Sequence, residues 1–96
     1  MIIYVDIDGT ICKSINSDYP NSKPIKDNID KINNLFRGGN TIIYWTARGQ
    51  SSGKDWAELT NKQLREWGCL FHKIISNEKP NYDLLICDKT KRIEEI

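Results

Sequence analysis

Asp6 and Asp8 stand two residues apart, just after the apolar run 1–5 and just before Gly9. Along an extended chain, positions i and i+2 point to the same side. Two carboxylates so placed can divide a phosphoryl transfer between them. Asp6 can attack phosphorus and become an aspartyl-phosphate. Asp8 can protonate the leaving oxygen, then deprotonate the water that attacks next. Acid–base help of this kind is commonly worth about 10² to 10⁴ in rate. A phosphate monoester is anionic, so a carboxylate nucleophile needs a divalent cation beside it. Magnesium prefers carboxylates and carbonyls. Asp6, the Asp8 carbonyl and Asp88 are its candidate protein ligands.

Other positions can serve the same reaction. Gly9 allows a sharp turn, and the N–H groups of the Gly9-Thr10 turn can face a phosphate. Thr46, in the segment Thr46-Ala47-Arg48, can donate a hydroxyl proton to a phosphoryl oxygen. Arg48 can contact substrate, although a plain surface charge explains it equally well, and the same holds for Lys89. Lys79 can offset the crowded negative charge. Taken singly, Thr46 reads as a cap or turn residue, Lys79 as a solvated lysine and Asp88 as a strand-end residue. Their order along the chain joins them. A calcium loop is the competing reading of Asp-x-Asp-Gly. An EF-hand loop, however, wants glycine at its sixth position and a closing Glu. Here the glycine comes fourth and a strand precedes.

The elements that must hold these residues are legible in outline. Residues 1–7, with Ile2, Ile3, Tyr4 and Val5, read as a buried strand. Such a continuous run suits a parallel strand covered on both faces. Residues 9–23 read as a long polar loop, of the kind that is often functional. Pro24 fits the first turn of a helix. Ile25, Ile29, Ile32 and Phe36 give that helix an apolar stripe, and Gly38-Gly39 ends it. Residues 41–45 form a second strand, ending at Thr46. A second helix begins near Asp55, where Asp55 and Glu58 resemble a capping box. Trp56, Leu59, Leu64 and Trp67 give it an imperfect apolar face, closed by Gly68. A third strand centres on residues 71–75, and a fourth on residues 84–87, ending at Asp88. A polar tail of a helical turn or two follows. The order β-α-β-α-β-β predicts an α/β fold: a Rossmann-like, three-layer domain over residues 1–96 with a mostly parallel sheet of about four strands. Ligands in such sheets bind beyond the carboxyl ends of the strands, where Asp6, Thr46 and Asp88 all fall.

Composition sets outer limits. The 96 residues are 39% hydrophobic and 28% charged, with a net charge of +1. That balance fits a globular domain and argues against a nucleic-acid partner, which needs a basic groove. No apolar run approaches the roughly 20 residues that cross a bilayer, so no membrane partner is expected. The N-terminus lacks a basic n-region, which argues against a signal peptide. Cys12, Cys69 and Cys87 form no C-x-x-C pair. A reduced, cytoplasmic protein is expected.

Asp6-Ile7-Asp8-Gly9-Thr10, Thr46, Lys79 and Asp88 resemble, in order, the four motifs of the haloacid-dehalogenase-like (HAD) hydrolase superfamily. The likeness runs over nearly the whole chain, and the first motif is the most specific. Tyr44-Trp45-Thr46-Ala47-Arg48-Gly49, Asp55-Trp56 and Gln63-Leu64-x-x-Trp67-Gly68 further resemble a group of small bacterial and viral HAD phosphatases, some of them in capsule or surface-sugar pathways. The resemblance implies Asp6 as nucleophile and metal ligand, and Asp8 as acid–base and carbonyl ligand. It also implies Thr46 as phosphate binder, Lys79 as charge stabiliser, Asp88 as metal acid and Mg2+ as cofactor. Asp at position 8 resembles phosphatases and phosphomutases rather than the ion-pump relatives, which carry Thr. One position departs: relatives pair two acids where this chain has Cys87-Asp88, and the second acid survives.

The gaps between motifs hold a loop, then about one helix and one strand, so a capless site open to solvent is expected. A second subunit, in a homo-oligomer, is one way to cover it. The leading expectation is a phosphomonoester hydrolase acting on a small phosphorylated sugar or related metabolite. The alternatives are a nucleotide or nucleic-acid-end phosphatase, and a catalytically weak module that binds a phospholigand or partner. Trp45, Trp56 and Trp67 read as packing residues ahead of a sugar platform, and His72 as incidental.

Overall fold

Five consecutive strand-formers, Ile2–Asp6, build the central strand β1. The protein is described by a computed structural model covering residues 1–16, 18–49, 55–76 and 84–86, with backbone alone for Leu84 and Leu85. After β1 come β2 (Cys12–Lys13), a 3-10 turn (Tyr19–Asn21) and β3 (Lys23–Pro24). Then follow α1 (Lys26–Arg37), β4 (Thr41–Thr46), α2 (Ala57–Glu66), β5 (Lys73–Ser76) and β6 (Leu84–Ile86). The main sheet has the order β5-β4-β1-β6. All of its pairings are parallel. This is the expected α/β fold with a parallel sheet. The expected polar tail, with Lys79, Cys87, Asp88 and Lys89, lies outside the described residues.

The chain adds β4 and then β5 on the same side of β1. Right-handed crossovers therefore place α1 and α2 on one face of the sheet. Burial follows that geometry. Ile3, Val5 and Ile7 of the first segment, and Ile42 and Tyr44 of β4, point into a core shared with Ile29 and Ile32 of α1 and Leu64 of α2. Tyr4, Ile43 and Trp45 alternate to the other face and are half-buried. Asn33 ties the helices together although it is buried. Its amide donates to the Gly68 carbonyl at 2.9 Å and its oxygen accepts from Leu70 N–H at 2.8 Å.

Both helices end as their glycines predict. Gly39 and Gly68 have φ of 93° and 75°. Asn40 N–H donates to Leu35 O and Cys69 N–H to Leu64 O, which closes a Schellman motif at each end.

Local expectations differ at three places. Residues 9–23 are not a plain loop, because β2 and β3 pair antiparallel as Cys12↔Pro24 and Lys13↔Lys23. Pro24 belongs to that ribbon, and α1 starts at Lys26. Proline lacks an N–H, which an edge strand tolerates as well as a helix start. Asp55 makes no capping box with Glu58; it accepts instead from Ala57 N–H at 2.9 Å. No domain is inserted in the described parts of either connection, before α1 or around α2. Among the described residues, no helix is long and apolar enough to cross a membrane.

Candidate active site

β1 ends at Asp6 and the adjacent β4 ends at Thr46, with Asp6 opposite Trp45 in register. Neighbouring strands lie about 4.8 Å apart. Asp6 and Thr46 therefore share the carboxyl edge of the sheet. Burial alternates beyond the strand: Val5 and Ile7 are fully buried, whereas Asp6 and Asp8 are only partly so. Both carboxylates are thus partly exposed, in the alternation that the i, i+2 spacing expects. Asp6 Oδ1 accepts from Ile7 N–H at 2.9 Å. Thr46 Oγ1 accepts from Arg48 N–H at 3.0 Å, which leaves the hydroxyl proton to be donated elsewhere.

Asp8 is held by a dense set of donors. Arg48 Nε donates to Oδ2 at 2.9 Å and Nη2 to Oδ1 at 2.9 Å, a bidentate pair. Ser14 Oγ donates to Oδ1 at 2.7 Å, and the Cys12 thiol lies 3.4 Å from the same oxygen. The Arg48 side chain is 1% exposed and that of Asp8 29%. Arg48 Nη1 donates to Gln63 Oε1 at 2.6 Å and Thr60 Oγ1 at 3.2 Å. Nη2 also reaches Ser22 Oγ and Cys12 Sγ, at 3.4 and 3.8 Å. The five N–H donors of a guanidinium are thus engaged within the protein. Tyr19 completes the shell, with the Arg48 guanidinium carbon 4.6 Å from its ring centre and its carbonyl accepting from Gln63 Nε2 at 2.6 Å.

These contacts set the charge state. Burial opposes ionisation of Asp8. The Arg48 hydrogen bonds, the Ser14 hydroxyl, the Arg48 charge and the Cys12 thiol outweigh it and hold the carboxyl below its ordinary range. Burial would likewise weaken the Arg48 cation, but the bonds and charge of Asp8 reverse that and keep it protonated. For Cys12, burial and then the Asp8 charge act together and push the thiol up to about 12.

Asp6, Asp8, Thr46 and Arg48 are therefore brought to one place, with Ala47 exposed beside Thr46. Arg48 departs from expectation: it faces inward onto Asp8 rather than outward to a substrate. Gly9 and Thr10 depart as well. Gly9 N–H donates to Cys12 O at 2.9 Å and Thr10 N–H to Ile7 O at 3.2 Å, so both close the turn instead of facing a phosphate. Asn28 Nδ2 pins that turn to α1 through the Thr10 carbonyl at 2.8 Å. His72 has a definite task, since its Nδ1 accepts from Ile42 N–H at 3.1 Å and its ring stacks on Phe36. Sequence reasoning missed Ser14, Tyr19 and Thr60, and met Gln63 only within the motif Gln63-Leu64-x-x-Trp67-Gly68. One signal was available: Thr60 and Gln63 are polar residues at i and i+3 within the helical face that also carries Leu64.

The oxygen donors of Asp6 and the Asp8 carbonyl are of the hard type that magnesium takes, so the residues fit that ion. Among the described residues, no three His, Cys, Asp or Glu side chains group closely enough to hold an ion. Asp88, the expected further ligand, lies outside them.

The fold is HAD-like. A crystal structure of a structural-genomics target from Vibrio cholerae matches with TM-score 0.74 at 22% identity, over 81% of this chain and 70% of that one. The D,D-heptose 1,7-bisphosphate phosphatase of B. bronchiseptica, solved with magnesium and phosphate, matches with TM-score 0.58 at 19% identity. That match covers 78% of this chain and 48% of the phosphatase. No protein-family model matches the sequence, and no curated protein does.

Proposed function

We propose that this protein is a magnesium-dependent phosphomonoester hydrolase working through an aspartyl-phosphate on Asp6, with a phosphorylated sugar or related metabolite as substrate. The observation that carries the reading is the shared strand edge: Asp6 and Thr46 on adjacent strands, with Asp8 fixed beside them by Arg48. The magnesium and phosphate bound by the heptose bisphosphate phosphatase agree with it.

In this mechanism Asp6 attacks phosphorus and the Thr46 hydroxyl donates to a phosphoryl oxygen. Asp8, held as a carboxylate, takes a proton from the water that attacks the aspartyl-phosphate. The protonated Asp8 that would assist the leaving oxygen is the minor form. Lys79 supplies positive charge, and Asp6, the Asp8 carbonyl and Asp88 would hold magnesium, which neutralises charge and polarises the phosphoryl oxygens when bound. Arg48 is a positioning residue that sets the direction and charge of Asp8.

The test is turnover of p-nitrophenyl phosphate and a panel of phosphosugars and nucleotides, with and without magnesium, by the wild type and Asp6→Asn. Magnesium-dependent release of phosphate, lost in Asp6→Asn, is the expected outcome. Equal rates for the two proteins on every substrate would overturn the proposal.

A further inference from the structure

A cavity of about 750 Å³ runs from Thr46 along β5, beneath the start of α2. It touches neither Asp6 nor Asp8; Thr46 and Arg48 link it to the site. Small-molecule sites commonly measure about 300–1,000 Å³ and combine aromatic walls with a few polar groups. This one has both. Trp56 and Phe71 supply aromatic groups, and Asp55, Asn61, Lys73 and Ser76 supply polar ones. Ala57 and Asn61, one helical turn apart, share the α2 face that lines it.

We propose that this cavity is the leaving-group subsite, and that it takes the sugar of a sugar phosphate whose phosphate sits at the Thr46 end. The inference rests on the phosphatase reading above and extends it. Lys73 to Ser76 covers three strand steps, about 10 Å, which is room for one or two pyranose rings. A pyranose ring presents a C–H face to an aromatic side chain and hydroxyls around its edge. Trp56 and Phe71 suit the face. Asn61 suits the edge, as does Asp55, which accepts from Ala57 N–H and keeps lone pairs for sugar hydroxyls.

The experiment compares acetyl phosphate, too small to fill the cavity, with hexose phosphates and nucleoside monophosphates. The proteins are the wild type, Trp56→Ala, Asn61→Ala and the cavity-filling Ala57→Phe. KM for the preferred hexose phosphate is expected to rise roughly tenfold in Trp56→Ala and Ala57→Phe, as when one good ring contact is lost. Asn61→Ala, an exposed position, keeps the test readable if Trp56→Ala fails to fold. Its KM is expected to rise severalfold. Acetyl phosphate turnover should change less than twofold in each. Hexose-phosphate KM values unchanged in every variant, or a preference for nucleoside monophosphates, would overturn the subsite. Absence of turnover on all substrates, acetyl phosphate included, would instead overturn the phosphatase reading.

Discussion

Removing the Asp8–Arg48 pair one partner at a time, then together, isolates what holds the site. The Arg48 side chain is 1% exposed and Asp8 29%. Breaking a buried pair by deleting one partner typically costs about 3–5 kcal/mol, because the other charge is left uncompensated. Arg48→Met strands Asp8, which water can partly reach, and it also strips donors from Thr60 and Gln63. A loss near the lower bound, about 3 kcal/mol, is expected. Asp8→Asn leaves the buried guanidinium without its counter-charge, but the amide oxygen still accepts one of its bonds. About 2 kcal/mol is expected there. In the double variant neither charge is stranded, so the total should stay near 3 kcal/mol, a coupling of about 2 kcal/mol. Urea unfolding at pH 7 reads these values. With m of about 1–3 kcal/mol/M, Arg48→Met shifts the midpoint by roughly 1–3 M. Losses that add within about 0.5 kcal/mol would rule out the Asp8–Arg48 coupling, since two residues in direct bidentate contact cannot act independently.

Thr10 is 1% exposed and its Oγ1 has no hydrogen-bond partner. Thr10→Val removes an unsatisfied group at constant shape, so stability should hold or rise by about 1 kcal/mol. Phosphatase activity should persist, and a large activity loss with unchanged stability would show that the hydroxyl meets substrate. Gly68 sits at φ 75°, and a Cβ added there would meet no atom within 4 Å, so Gly68→Ala carries backbone strain alone. Thermal unfolding should report a loss of roughly 1–2 kcal/mol. Burial pushes the Cys69 thiol up to about 11, and Cys12 stands near 12. In a Cys87→Ser background, Ellman's reagent at pH 8 should therefore label neither until urea is added, because the thiolate is the reactive form. Rapid native labelling would contradict those environments.

Much of this structure is legible in residue order. Ile2 to Val5 and Thr41 to Trp45 are continuous runs of strand-formers, and each forms a strand of the parallel sheet. The stripe Ile25, Ile29, Ile32 and Phe36 marks α1, and Gly39 and Gly68 close the helices as glycine with positive φ does. Asp6 and Thr46 reach one edge because parallel strands deliver their last residues together. The β2–β3 ribbon is not legible, because two residues per strand carry no periodicity. Arg48 escapes a sequence reading for a different reason. A charged residue after a strand reads as surface, and nothing local shows that its partner lies 40 positions away. Gly9 and Thr10 read as phosphate donors, but the tight turn takes their N–H groups first.

The proposed mechanism turns on a covalent intermediate on Asp6. Its most direct measurement is the intact mass of the protein, acid-quenched within the first turnover of acetyl phosphate in the presence of magnesium. A species heavier by one phosphoryl group is expected, mapped to the peptide containing Asp6 and missing in Asp6→Asn. Phosphate release in that same turnover with no such adduct at any quench time, or with an equal adduct in Asp6→Asn, would contradict it.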